Sequence, residues 1–260
     1  MRIIPIAETT VRDITMLHKI GRVVFNDYLG QGHQVRPGPQ AYLVNQLDSG
    51  SEIYPHFHDV DQFQIFIRGS GRIGTHSVSP VVVHYVDAYS PYGPIVANEL
   101  GLSYLVLRLA AASGGWKMPE SRNLIIGGPG RRTTFIFDGY DKVPTEAGLV
   151  QRSTLWGPAD DGLEISSFHI GPHSSLEGDP PAGGQYIIVT AGALVHGATL
   201  LPKESLIFLE RGEPPATLAA STQGATLLVL QFPFPTARQG SDPANLRERD
   251  STYVMPVAQS

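Results

Sequence analysis

Gly50-Ser-Glu-Ile-Tyr-Pro-His56-Phe-His58-Asp-Val-Asp-Gln62-Phe-Gln64-Ile-Phe-Ile-Arg-Gly69 is the stretch that decides the fold. Side chains on an extended chain alternate between faces. His56, His58, Gln62 and Gln64 therefore fall on one side of a strand running His56–Arg68, and Phe57, Phe63, Ile65 and Ile67 on the other. One side is apolar and calls for cover by another element. The other presents nitrogen and oxygen donors in place of mobile charges. Two imidazoles two residues apart reach one metal ion, and a third donor four residues on can join them. The plain alternative makes both imidazoles neutral groups hydrogen-bonded in, or at the mouth of, a barrel.

Composition narrows the classes. The 260 residues suffice for one large β domain or two of ordinary size. Hydrophobic content of 42% with 17% charged residues describes a globular chain with a substantial core, not a disordered one. A net charge of −5 without any basic block argues against nucleic acid as a partner. No apolar run approaches the roughly 18 residues of a membrane span. The first residues lack the apolar core of a signal peptide, so the cytoplasm is the expected location. With no cysteine, disulfides and thiolate ligands are excluded.

Glycine and proline punctuate short β-rich runs, the pattern of an all-β sandwich or barrel. Expected strands are 40–46, 56–68, 81–86, 104–110, 133–137, 163–170, 185–191, 205–209 and 226–232. Short helices are expected at 10–19 and 243–248. Gln62-Phe-Gln-Ile-Phe-Ile-Arg-Gly69 resembles Gln185-Tyr-Ile-Ile-Val-Thr-Ala-Gly192, an offset of 123 residues (185 minus 62). Leu105-Val-Leu-Arg108-Leu falls on Leu228-Val-Leu-Gln231-Phe at the same offset. A repeat of this length means two tandem units, with 111–130 as the connection. The expected domains are 1–115, carrying the site, and 116–260. The second copy holds Asp179 and Pro181 where the first has His56 and His58. His169 and His173 lack the His-x-His spacing, so the second unit reads as structural.

The frame Gly50, His56-x-His58, Gln62, Gly69 resembles the first motif of the cupin superfamily, and Pro91-Tyr92-Gly93 resembles its second. Gln62 stands where that family usually has Glu, and Val96 where it has the remaining histidine. The resemblance implies two tandem double-stranded antiparallel β-barrels, a bicupin, and brings homodimerisation as an expectation. It also implies a divalent transition metal (Fe, Mn, Ni, Cu or Zn) in the first barrel on His56, His58 and Gln62. His84, facing with Val82 and Val86, is the best spare ligand in place of Val96; its bland role is that of a satisfied core histidine. His33 and His76 are more remote. Arg108 shares a face with Tyr104 and Val106, placed to clamp a substrate carboxylate, or else to pair with an acid such as Asp87. Tyr92 turns its phenol to the cavity mouth or to solvent. Asp59 and Asp61 fall on the other face and read as solvated charge.

The expected function is a metal-dependent small-molecule enzyme of the dioxygenase, isomerase or lyase kind, with Arg108 and Tyr92 orienting the substrate. The alternative is a non-catalytic pocket for a sugar or organic acid. Gly127-Gly-Pro-Gly130 lacks the lysine and context of a phosphate loop, and no nucleophile elbow is present.

Overall fold

The computed structural model describes residues 1–16, 20–30, 38–126 and 130–234. In chain order the strands are β1 (Arg2–Ile4), β2 (Thr10–Met16), β3 (Gly21–Leu29), β4 (Gln40–Gln46), β5 (Glu52–Ile53), β6 (His56–Phe57), β7 (Gln62–Ile73), β8 (His76–Val78), β9 (Val82–Val86), β10 (Ile95–Arg108), β11 (Trp116–Lys117) and β12 (Arg132–Ile136). They continue with β13 (Val150–Trp156), β14 (Glu164–Ile170), β15 (Ser175–Glu177), β16 (Gln185–His196), β17 (Thr199–Pro202), β18 (Leu206–Leu209) and β19 (Thr217–Gln231). Short 3-10 turns at Ile6–Glu8 and Arg122–Leu124 lie between the strands.

The chain divides into two compact units, Thr10–Ile136 and Met1–Thr9 with Phe137–Pro235. This differs from the division expected between 115 and 116, because strand pairing overrides chain order. β1 pairs with β18 of the second unit, Ile3 opposite Ile207, while β12 pairs with β9 of the first, Thr134 opposite His84. The supposed connection is likewise core: Trp116 is fully buried and stacks on Phe57, with ring centroids 5.4 Å apart.

In the first unit the strand order is β12-β9-β7-β10-β4-β3-β2, and in the second β1-β18-β16-β19-β14-β13. All pairings are antiparallel. β7 meets β10 with Phe63 opposite Leu107, Phe66 opposite Tyr104 and Gly69 opposite Leu102. β16 meets β19 with Tyr186 opposite Leu230, Val189 opposite Leu227 and Gly192 opposite Ala225. Each of these partners lies 123 residues beyond its counterpart, so the repeat is one of register as well as of sequence.

Gly69 explains why one residue type recurs there. Its φ is +73°, and a Cβ would stand 2.1 Å from the Gly101 carbonyl oxygen. Gly192, at φ +65°, stands in the same relation to Gly224, also at 2.1 Å. Both crossings need backbones closer than any side chain permits.

Two sequence expectations change. Residues 10–16 form β2, not a helix: Val11, Ile14 and two threonines are β-branched, and the segment pairs with β3, with Ile14 in the core. The second expected helix, 243–248, lies outside the described residues. The run 56–68 is two strands, because the chain leaves the sheet between Phe57 and Gln62. Phe63, Ile65 and Ile67 are buried, as their apolar face requires.

Gly69→Ala and Gly192→Ala are expected to destabilise the protein by about 2–4 kcal/mol each, through strain and backbone clash. Gly212→Ala, at φ +82° with nothing within 4 Å, is expected to cost about 1–2 kcal/mol. Urea unfolding of the three variants checks this; equal losses at all three positions would contradict it.

Candidate functional site

Five adjacent strands of the first unit, β4, β10, β7, β9 and β12, carry the site in rows. In the first row Gln40 lies opposite Arg108, and Arg108 reaches across to Gln62. Arg108 Nε–H donates to Gln62 Oε1 and Nη1–H to Gln40 Oε1, both at 3.0 Å. The next row runs Tyr42, Val106, Gln64, His84, Thr134. The third, Val44, Tyr104, Phe66 and Val82, is apolar and forms a floor within the core. Alternation on four strands therefore concentrates polarity at one end of the interior.

The histidines enter from β6. Backbone hydrogen bonds tie His56 to Tyr92 in both directions, at 3.1 and 3.0 Å. His56 Nδ1–H donates to the Tyr54 carbonyl at 2.7 Å, and its Nε2 accepts from the Tyr92 hydroxyl at 2.8 Å. His58 Nδ1–H donates to the Gly114 carbonyl at 2.6 Å. The two rings lie 5.0 Å apart and nearly perpendicular, at 88°. Tyr92 sits among three imidazoles, its ring 4.6 Å from His56, 6.3 Å from His58 and 6.1 Å from His84. Behind the ribbon β11 pairs with β6, and Phe57, Tyr89, Ala88 and Trp116 form an apolar backing.

Burial sets the charge state. His56 is pushed down to about 4, chiefly by desolvation, with the Arg108 cation adding to the effect against the Tyr54 hydrogen bond. His58 is held well below the ordinary imidazole range by desolvation, then by Arg108 and by His56. His84 is pushed down to about 4, again mainly by burial. At neutral pH all three are uncharged, with the buried Arg108 guanidinium acting on His56 and His58, and His76 and Arg132 on His84.

Each residue singled out from the sequence has a definite place. His56, His58, Gln62, His84, Tyr92 and Arg108 all gather in the first unit's interior. Arg108 does not pair with Asp87; Arg131 and the Tyr85 hydroxyl take that carboxylate. Tyr92 is buried, not solvent-facing. Val96 faces away from the interior that Ile95 and Ala97 line. His76 is exposed on β8, and His33 lies outside the described residues.

Asp59 and Asp61 are not solvated. Asp59 is fully buried and accepts from the Ser113 backbone at 3.1 Å and from the Ser113 hydroxyl. Asp61 accepts from the Ala88 N–H at 2.7 Å. Asp59 thus fixes the loop whose Gly114 carbonyl orients His58, and burial raises its carboxyl above the ordinary range. Sequence reasoning missed Asp59, Ser113 and Gln40. Only the alternation Gln40, Tyr42, Val44 on one expected strand could have signalled any of them.

The motif resemblance raises a metal as an expectation for this site. Both His56 and His58 show the outer arrangement of ligating imidazoles, with Nδ1–H anchored on a carbonyl. His56 Nε2 already accepts from the Tyr92 hydroxyl, so a divalent ion on this pair would have to displace that hydrogen bond. The other two expected ligands do not complete the set: Gln62 Oε1 is committed to Arg108, and His84 stands across Tyr92 from the pair. Among the described residues no three His, Cys, Asp or Glu side chains are placed to share one ion.

No protein-family profile matches the sequence, and no curated protein does. Solved structures match over nearly the whole chain. The oxalate decarboxylase of Lactobacillus farciminis, in a formate complex, superposes with a TM-score of 0.58 at 9% identity, over 89% of this chain and 86% of that one. The pirin YhhW of Escherichia coli, in complex with nickel(II), gives 0.57 at 10% identity, over 89% and 99%. A candidate dioxygenase of Nostoc punctiforme gives 0.58 at 10% identity, over 91% and 85%. The chain therefore shares the all-β fold of these cupin-type structures, with a large antiparallel sheet in each of its two units. Among the described residues no helix is long and apolar enough to cross a membrane.

The depressed histidines couple stability to pH. Between the ordinary value of 6.5 and about 4, the unfolded chain takes up a proton at His84 that the folded chain refuses. Stability is therefore expected to fall as pH drops through that window and to level off below it. A single histidine accounts for up to about 3 kcal/mol. Urea unfolding at pH 7, 6 and 5 checks the slope, and His84→Leu is expected to flatten it; an unchanged slope in that variant would contradict the assignment.

Proposed function

We propose that the interior of the first unit takes a small organic molecule, and that a divalent transition metal held by His56 and His58 is its cofactor. On this reading the protein is a small-molecule enzyme of the cupin type, in the range of oxygenases, isomerases and lyases. One observation carries it: two neutral imidazoles with ring centroids 5.0 Å apart are each locked through Nδ1–H onto a backbone carbonyl, which leaves Nε2 as the basic nitrogen of each ring. The nickel(II) complex of the similar pirin lends support. When bound, the metal supplies Lewis-acid polarisation of a substrate oxygen.

The chain's own groups do the rest. Arg108, held rigid by Gln40 and Gln62, fixes positive charge where a carboxylate would dock. Tyr92 donates its hydroxyl proton toward His56 Nε2 and stands beside all three imidazoles, placed to hand a proton to a ligand or take one. The apolar floor excludes water from below. A non-catalytic pocket for an organic acid is the second reading. The Tyr92–His56 hydrogen bond favours it, since that contact satisfies the ring without any metal.

Elemental analysis after expression with Fe, Mn, Ni, Cu or Zn tests the first reading. The wild-type protein is expected to retain one of these metals near stoichiometry, and the His56→Ala/His58→Ala variant to lose it. Equal metal content in the two proteins would contradict this. A panel of organic acids, diketones, phenols and sugars then separates the readings. Turnover lost in the double variant supports the enzyme, and thermal stabilisation without turnover supports the binding pocket.

A further inference from the structure

Besides Gln46 Oε1, whose amide nitrogen is held by Ser51, the buried polar atoms of the first unit without a hydrogen-bond partner include Gln62 Nε2, Gln64 Oε1 and His84 Nε2. The last three belong to residues 0%, 2% and 4% exposed. Buried polar groups are seldom left unsatisfied, and these occupy two adjacent rows of one face. Gln64 lies opposite His84 across β7 and β9, one row beyond Gln62 and Arg108.

Their chemistry is ordered. Gln62 Oε1 accepts from Arg108, which fixes the amide and leaves Nε2 as a donor beside the guanidinium. That row therefore presents N–H groups and positive charge. In the next row His84 Nδ1 is engaged with Thr134 Oγ1 at 3.1 Å, so its uncharged ring turns Nε2 inward. Gln64 Oε1 stands beside it as an acceptor. One row suits an anionic oxygen and the next a hydroxyl, which donates its single proton to Gln64 Oε1 and lies against His84 Nε2. Rows two residues apart along a strand are separated by about 7 Å, the span of a short carbon chain.

The second unit provides an internal control. At the offset of 123 residues, Gln64 becomes Ile187 and His84 becomes Ile207, again opposite each other across β16 and β18. Both isoleucines are buried in its apolar cluster. Gln185 and Gln231, in the places of Gln62 and Arg108, hydrogen-bond to one another at 3.1 Å. Gln185 Oε1 is the one unsatisfied side-chain atom of that unit's described residues. The fold does not need polar groups at the Gln64 and His84 positions.

We infer that Gln62, Gln64 and His84 form a recognition subsite for a short hydroxycarboxylic acid, its carboxylate on the Arg108 and Gln62 row and its hydroxyl on Gln64 and His84. The inference rests on the reading that this interior takes a small molecule, but not on the metal.

The test uses the full chain, stripped of metal with a chelator, and reads thermal stability and calorimetric binding. The probes are malate, its deoxy analogue succinate, and the neutral polyol threitol. Malate is expected to raise the melting temperature in a concentration-dependent way. Succinate and threitol are expected to bind at least tenfold more weakly. His84→Leu and Gln64→Leu are each expected to remove the preference for malate over succinate, while their own melting temperatures without ligand match or exceed the wild type. A variant that fails to fold leaves the other to decide, and loss of ligand-free stability in both would overturn the inference, because the polar atoms would then have partners within the protein. No stabilisation by malate, or a malate preference that survives both variants, would also overturn it. Loss of the metal reading alone shows in metal content and leaves these measurements unchanged.

Discussion

The register between β7 and β10 is the constraint on which the rest of the first unit depends. It is pinned where Gly69 passes the Gly101 carbonyl too closely for any side chain. After a one-residue register shift at Ile67, Phe66 meets Tyr104 in the floor, Gln64 lies between Val106 and His84, and Arg108 reaches Gln62. A slip of one residue would turn Gln62, Gln64 and Arg108 out of the barrel and drive Phe63, Ile65 and Leu107 into it. The same crossing recurs at Gly192 and Gly224, so the scaffold is held by one device used twice.

What differs between the copies is the polarity that the scaffold encloses. The second unit fills its interior with isoleucine, valine and leucine, and gains the stability of a closed apolar core. The first replaces several of those positions with imidazole, amide and guanidinium groups, and it leaves some of them without protein partners. Burial keeps the histidines uncharged, which makes them acceptors and donors of lone pairs instead of cations. A buried arginine beside neutral bases then gives the space a positive bias. That combination costs stability, and it makes chemical sense when another molecule supplies the missing partners.

The sequence disclosed the scaffold more fully than the site. Alternation across Gln62–Ile67, the recurring glycines and the offset of 123 residues are short-range signals, and they translate directly into strands, faces and register. The strand β2 was hidden because Thr10–Met16 alternates imperfectly and is decided by pairing with β3. The placing of β1 in the second unit, and of β11 and β12 in the first, was hidden because such pairings leave no trace in local pattern. Within the site, His56, His58, Gln62, His84, Tyr92 and Arg108 were all legible as candidates. The commitments between them were not: Gln62 Oε1 belongs to Arg108, and His56 Nε2 to Tyr92, through contacts that span tens of residues. Asp59 was misread as surface charge because alternation assumed an unbroken strand. The chain instead leaves the sheet after Phe57, and the carboxylate turns inward to hold Ser113.

His56 and His58 are held neutral at ordinary pH with their proton on Nδ1, which leaves the lone pair of each ring on Nε2. Long-range nitrogen–proton correlation NMR of metal-free protein, labelled with 15N-histidine and recorded at pH 6, reads both properties for each ring. His56 and His58 are expected to appear as neutral Nδ1–H tautomers. Charged imidazolium signals for His56 and His58, or protons on their Nε2, would contradict it.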